Sequence, residues 1–195
     1  MRLQWWRDAL EEIATGGKVR RHEVVTPLAG VLDVVTAKML DTLVAARRWD
    51  IYKEAFEDAA HFECNVDATA GHLMVAPTRA LAGGVRVELL RDAAYASGLS
   101  AWFRAIPKLE AAKRIPLVDG RAEAVSYLAQ GALTRFTQAR AKRSGVPGQT
   151  APALWPALQA PLVLKLVAQD PMLVSDGLPE TPRDGLWWAA LRKSW

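Results

Sequence analysis

The sequence holds a single cysteine, Cys64, among 195 residues. That excludes an internal disulfide and any zinc site built from two or more thiolates of one chain, and it points to a reducing compartment. No stretch alternates convincingly between apolar and polar residues at period two. No Asn-Gly or Asp-Gly pair separates two β-branched runs, so hairpins are not expected. Asp119-Gly120 and Asp176-Gly177 sit between helical patterns and read as loops. A Gly-rich phosphate loop of the Walker or Rossmann kind is missing, as are G-x-S-x-G and H-E-x-x-H. With three histidines, none near a serine in sequence, no nucleophilic triad is indicated. The opening residues 1–8 read as a helix rather than a secretory signal. Residues 151–168 are the most apolar stretch, but Gln159, Lys165 and three prolines interrupt the roughly 20 apolar residues that a spanning helix wants, so no span is expected.

Acidic residues are also missing between Glu123 and Asp170, where Arg135, Arg140, Lys142, Arg143 and Lys165 all fall. Arg192 and Lys193 add charge beside Trp187, Trp188 and Trp195. This basic, aromatic end suits an anionic membrane surface or an acidic partner, and equally a solvated helix face. Those three tryptophans, Arg192 and Lys193 are the membrane-contact candidates. The stripe Leu186, Trp187, Ala190, Leu191 would either meet lipid or close the core.

What is present is an ordinary globular composition: 51% hydrophobic, 24% charged, mean hydropathy +0.01. It excludes general disorder, and the length suits a single domain over residues 1–195 with a sizeable core. A net charge of +4 is too modest to argue nucleic-acid binding.

Helical periodicity dominates. Leu3, Trp6, Leu10 and Ile13 recur at three and four, and Gly16-Gly17 stops that helix. Thr26-Pro27 reads as an N-cap and first position of a second helix, striped by Leu28, Val31, Leu32, Val35, Met39, Leu43 and Ala46. A third helix is expected over 58–76, ended or kinked by Pro77, and a fourth over 87–106, ended near Pro107. A fifth covers 121–143, with shorter ones at 157–167 and 183–193. The class is all-α, a helical bundle. Trp6, Leu10, Thr69, Gly71, Met74, Leu99 and Phe103 are expected to face one interior. Small residues at Ala68, Ala70 and Gly71 would let a neighbouring helix come close.

Two constellations could carry chemistry. His61, Cys64 and His72 share one expected helix, but the two histidines are about 16 Å apart along it. One metal ion cannot reach both, so a His61–Cys64 pair would need ligands from elsewhere. Asp50, Glu54 and Asp58 fall at i, i+4 and i+8, with Glu57 beside them. Carboxylates one turn apart suit a magnesium-diphosphate site, and they also mark ordinary solvated faces.

Four segments then resemble those of squalene/phytoene synthase-like proteins. Residues 1–10 (MRLQWWRDAL) resemble one of their helices, and Val66-Asp67-Ala68-Thr69-Ala70-Gly71-His72-Leu73-Met74 resembles their V-A-G-T-V-G-x-M segment. Residues 98–106 (GLSAWFRAI) stand in the place of L-T-N-I-L-R-D-V, and residues 113–117 (KRIPL) in that of G-R-x-Y-L-P. The resemblance covers most of residues 1–145. It implies the isoprenoid synthase fold and an isoprenoid or lipid ligand, with Thr69, Gly71, Met74 and Arg104 as ligand contacts; Arg104 would meet an anionic group, or else stay a partly exposed cation.

Synthases of the family bind magnesium and prenyl diphosphate through two D-x-x-x-D motifs. The second would fall on Ala105 and Leu109, which lack carboxylates, and the first ahead of Met1, so an amino-terminally truncated form is expected. The sequence looks closest to a non-catalytic branch that includes a mitochondrial assembly factor for respiratory complex I. The expectation is therefore a binding or assembly factor with no catalytic residues, no metal and no cofactor. It would be cytoplasmic and peripheral on the inner membrane face. Its partner would be a membrane surface or a respiratory-complex subunit, not nucleic acid. The alternative is a prenyltransferase condensing prenyl diphosphates, with Mg²⁺ held by Asp50, Glu54 and Asp58 or by residues the sequence does not single out.

Overall fold

The computed structural model describes residues 2–52, 54–82 and 87–180. Among these every regular element is helical, which is the all-α class expected. The carboxy-terminal membrane-contact candidates Trp187, Trp188, Arg192, Lys193 and Trp195 lie outside the described residues.

Helix α1 (Arg2–Thr15) ends where Gly16 turns left-handed at φ 66°, with the Gly17 amide reaching back to the Glu12 carbonyl. Glycine adopts that backbone without a Cβ penalty, so the stop signal in the sequence acts as read. The single helix expected after Thr26 is instead two: α2 (Val25–Ala29) and α3 (Val34–Ala46). Thr26 does not cap; its hydroxyl accepts from the His22 amide. The break comes because Asp33 is the better cap, its carboxylate accepting from the Thr36 amide at 2.7 Å. Val31 and Val35, members of the expected stripe, are left exposed.

After the short α4 (Trp49–Tyr52), a continuous rod is formed by α5 (Ala59–Val66), a π-helical turn (Asp67–Gly71) and α6 (His72–Leu81). Pro77 does not end it. Its missing N–H falls one turn after a ladder already reset by the π turn, and Leu73, whose carbonyl loses that donor, is exposed. Helix α7 (Val87–Ala111) likewise runs past Pro107, and α8 (Ala122–Ala141) packs along it.

The chain then passes through α9 (Ala151–Leu154), a 3₁₀ segment (Trp155–Gln159), α10 (Ala160–Gln169) and α11 (Leu173–Asp176). The helical run Gly148–Gln169 is long and apolar enough to cross a membrane by length and composition. In this fold, however, Leu154, Ala157, Ala160, Val163, Leu164 and Val167 are buried, and α10 lies against α7 and α8. It packs as a core helix.

The interior is divided. One apolar cluster joins Phe62, Val66, Met74, Leu99, Phe103 and Ile106 to α8 and α10. A second joins Ala9, Ile13, Val25 and Ala37, with Trp5 and Trp6 against it. Trp6 therefore does not share an interior with Met74 and Phe103: α1 lies on α3, tied by the bidentate Arg7–Asp41 pair at 2.7 and 3.1 Å.

Candidate functional site

The α5–π–α6 rod has two sides. On the inner side Phe62, Val66 and Met74 are buried in the main cluster. Here Gly98 of α7 meets the rod so closely that a Cβ on it would lie 2.5 Å from the Ala70 Cβ. Of the small residues expected to admit a neighbour, Ala70 does so. Ala68 lines the outer side, and Gly71, though buried, lies under its own chain: a Cβ there would meet the Asp67 carboxylate at 2.7 Å.

Within the π turn the Thr69 hydroxyl donates back to the Asn65 carbonyl at 2.6 Å. Such single π turns recur at functional sites. On the outer side Glu63, Cys64, Asp67 and His72 line a cleft of about 520 Å³, closed by Arg91 and Tyr95 of α7 and by Arg135 of α8.

Arg135 organises this cleft. Its Nε donates to Asp92 at 2.8 Å, its Nη1 donates to Glu63, and its guanidinium lies 4.0 Å from the Tyr95 ring centroid. Burial opposes the charge on Arg135, but the hydrogen bonds from its two carboxylate partners outweigh that and hold its pKa above the ordinary value. Burial, helped by the Glu63 charge and opposed by Arg135, pushes the Tyr95 phenol up, so it is a neutral hydroxyl at physiological pH. Arg91 and Asp67 approach to 3.9 Å. The carboxylates of the cleft are thus matched to guanidinium groups, an arrangement suited to binding polar or anionic groups by exchange of partners. His72 Nδ1 is buried with no hydrogen-bond partner among the described residues.

The four ligand-contact candidates do not line this cleft. Thr69 has its hydroxyl committed within its own helix; Gly71 and Met74 are buried; Arg104 lies further along α7. One Arg104 Nη donates to the Pro179 carbonyl at 2.9 Å, and the other is buried without a partner among the described residues.

The carboxylates of the alternative reading do not share a helix. Asp50 sits on α4 facing Arg47 at 3.4 Å, Glu54 lies in the connection, and Asp58 caps α5 by accepting from the His61 amide. His61 Nδ1 accepts from the Glu57 amide and Cys64 is exposed. Among the described residues no group of three or more His, Cys, Asp or Glu is placed to hold a metal ion.

The squalene/phytoene synthase family model matches residues 1–119, from α1 through α7 and into the turn before α8. The chain belongs to the squalene/phytoene synthase family. No curated protein and no solved structure matches it. The match includes the rod, its π turn and α7, whereas Arg135, which ties the outer cleft together, lies beyond it. Ala105 and Leu109 of α7, where the resemblance places the family's second carboxylate motif, present a methyl and an isobutyl group, and neither carries a lone pair for a hard cation.

Sequence reasoning missed Glu63, Asp92, Tyr95 and Arg135. The signal available was Arg135 in the acid-free stretch after Glu123, but nothing in the sequence paired it with a residue 72 positions away.

Proposed function

We propose that this family member is non-catalytic and serves as a binding or assembly factor for a respiratory complex, from the cytoplasmic side and peripheral on the inner membrane face. The observation that carries this reading is the donor set of α7, where Ala105 and Leu109 stand in place of the second pair of carboxylates. Metal-assisted ionisation of a diphosphate needs hard oxygen ligands at that place. An isoprenoid or lipid is the ligand class proposed, with a membrane surface or a respiratory-complex subunit as partner and no nucleic acid.

The test is diphosphate release from farnesyl or geranylgeranyl diphosphate with Mg²⁺. The expected result is no release above a protein-free blank. Magnesium-dependent release that Asp50→Ala abolishes would overturn the reading in favour of a prenyltransferase. Deletion of the gene in its own cell is expected to lower assembled complex I on native gels; unchanged complex would remove the assembly role.

A further inference from the structure

We infer that the cleft on the outer side of the rod binds a free α-amino acid with an apolar side chain, Asp67 meeting its ammonium group and Arg91 its carboxylate. This site goes beyond the assembly role and does not depend on it. Of the ion pairs around the cleft, that of Arg91 and Asp67 is left unfinished. Their closest approach is 3.9 Å, and neither side chain makes a hydrogen bond to a described residue. A charge-assisted hydrogen bond closes to about 2.7–2.9 Å. Asp67 is nonetheless built into the wall: Gly71 leaves it room, because a Cβ there would lie 2.7 Å from its Oδ1.

Tyr95 is built in as well. It is only 6% exposed and lines the cleft, yet its hydroxyl has no hydrogen-bond partner among the described residues. Burial keeps that phenol neutral, so it remains a donor. His72, whose buried Nδ1 also lacks a partner among the described residues, belongs to the same wall.

The charges narrow the ligand class. Glu63 and Asp67 line the cleft with Arg91 and Arg135, and Asp92, bonded to Arg135, adds one more negative charge. A diphosphate or other polyanion would meet no surplus of positive charge here. A molecule with one charge of each sign gives Arg91 and Asp67 a hydrogen-bonded partner each and leaves no charge unpaired. Because the two stand only 3.9 Å apart, its ammonium and carboxylate must be close neighbours, as they are around the α-carbon of an amino acid.

The remaining walls suit an apolar side chain. Ala60, Cys64 and Ala68 are small, and the volume of about 520 Å³ falls within the range of about 300–1,000 Å³ usual for small-molecule sites. A second cleft, of about 370 Å³, shares Cys64 and Ala68 and has Trp49 and Tyr52 in its walls. A long or aromatic side chain thus has a path to follow.

The test is titration calorimetry of the full chain with L-leucine and L-phenylalanine, each beside its N-acetyl and its amide derivative. The first derivative lacks the ammonium group and the second the carboxylate. We expect saturable binding of one or both free amino acids, weakened at least about tenfold in either derivative, the weight of one charged hydrogen bond. Glycine should bind at least about tenfold more weakly, for want of an apolar side chain to bury. Arg91→Gln should erase the preference over the amide, and Asp67→Asn the preference over the N-acetyl form. Tyr95→Phe keeps the ring beside Arg135 and should weaken binding by about threefold to tenfold. Circular dichroism and thermal midpoints of Arg91→Gln and Asp67→Asn should stay near wild type, because neither side chain hydrogen-bonds the rest of the fold. Saturable binding of neither amino acid overturns the proposal, as does equal binding of the derivatives by the wild type. Binding that both variants leave unchanged, with both preferences intact, overturns it too. Should a variant fail to fold, the ligand series on the wild type still decides.

Discussion

Gly98→Ala should destabilise this protein, against the usual benefit of replacing a helical glycine. A Cβ at position 98 would sit 2.5 Å from the Ala70 Cβ and 2.9 Å from the Val66 Cγ1. Carbon atoms prefer about 3.5–4.0 Å, so the first contact overlaps by roughly 1 Å or more. The Ala70 methyl has no rotamer to change and moves only with the π turn. Helix α7 and the rod must therefore part, which costs about 1–3 kcal/mol, against a propensity gain of ~1 kcal/mol. The net loss is up to about 2 kcal/mol, or a fall in Tm of up to about 8 °C for a chain of this size. Thermal and urea denaturation would read it. Gly131→Ala on exposed α8 is the control: nothing lies within 4 Å of its Cβ, so it should stabilise by ~0.5–1 kcal/mol. Ala70→Gly alone loses ~1 kcal/mol of propensity, yet placed together with Gly98→Ala it removes the worst overlap, so the two should be coupled by ~1 kcal/mol or more. A Gly98→Ala variant that gains stability as Gly131→Ala does, or an additive double variant, would refute the close approach.

Two further outcomes follow from the same reasoning. Lys113 takes the left-handed position of the α7 cap at φ 58°, with the Arg114 amide reaching the Leu109 carbonyl, so Lys113→Gly should raise stability by ~1 kcal/mol in a thermal melt. Hydrogen bonds from Thr36 and then Arg79 hold Asp33 at a pKa of about 2 instead of 3.8. A lowered carboxylate pKa stabilises the fold above the ordinary value and loses that contribution as pH falls through the folded one. The Tm of the wild type should thus drop more steeply than that of Asp33→Asn as pH falls from 3.8 towards about 2, and parallel curves would discount the pair.

Local signals were legible where one residue sets the backbone. Gly16 ended α1 as expected, while the same cap geometry at the end of α7 was invisible because a lysine, not a glycine, occupies it. The break before α3 was hidden for the opposite reason. Val31 and Val35 extend a helical stripe, yet both are exposed, and the Asp33 cap decided the matter with a hydrogen bond that periodicity does not register. The π turn holds a threonine bonded back to its own helix, but Thr42, Thr78, Thr134 and Thr137 bond back in the same way on regular helices, so that signal does not locate it. The outer cleft was illegible as a whole: Arg135 meets Asp92 and Glu63 across 43 and 72 positions, and the packing of α8 on α7 and of the rod on α7 sets those partners.

In α7 the residues that pack and those at 105 and 109 are different. Leu99, Phe103 and Ile106 are fully buried and hold the rod and α8 together. Ala105 and Leu109 are only half-buried and contribute little to that contact. Two carboxylates one turn apart at 105 and 109 would repel each other without a cation between them, so their absence costs the fold nothing and removes a like-charge pair. Arg104, beside them, is instead satisfied in part by the Pro179 carbonyl. On the outer side of the rod lies the ion-paired cleft organised by Arg135.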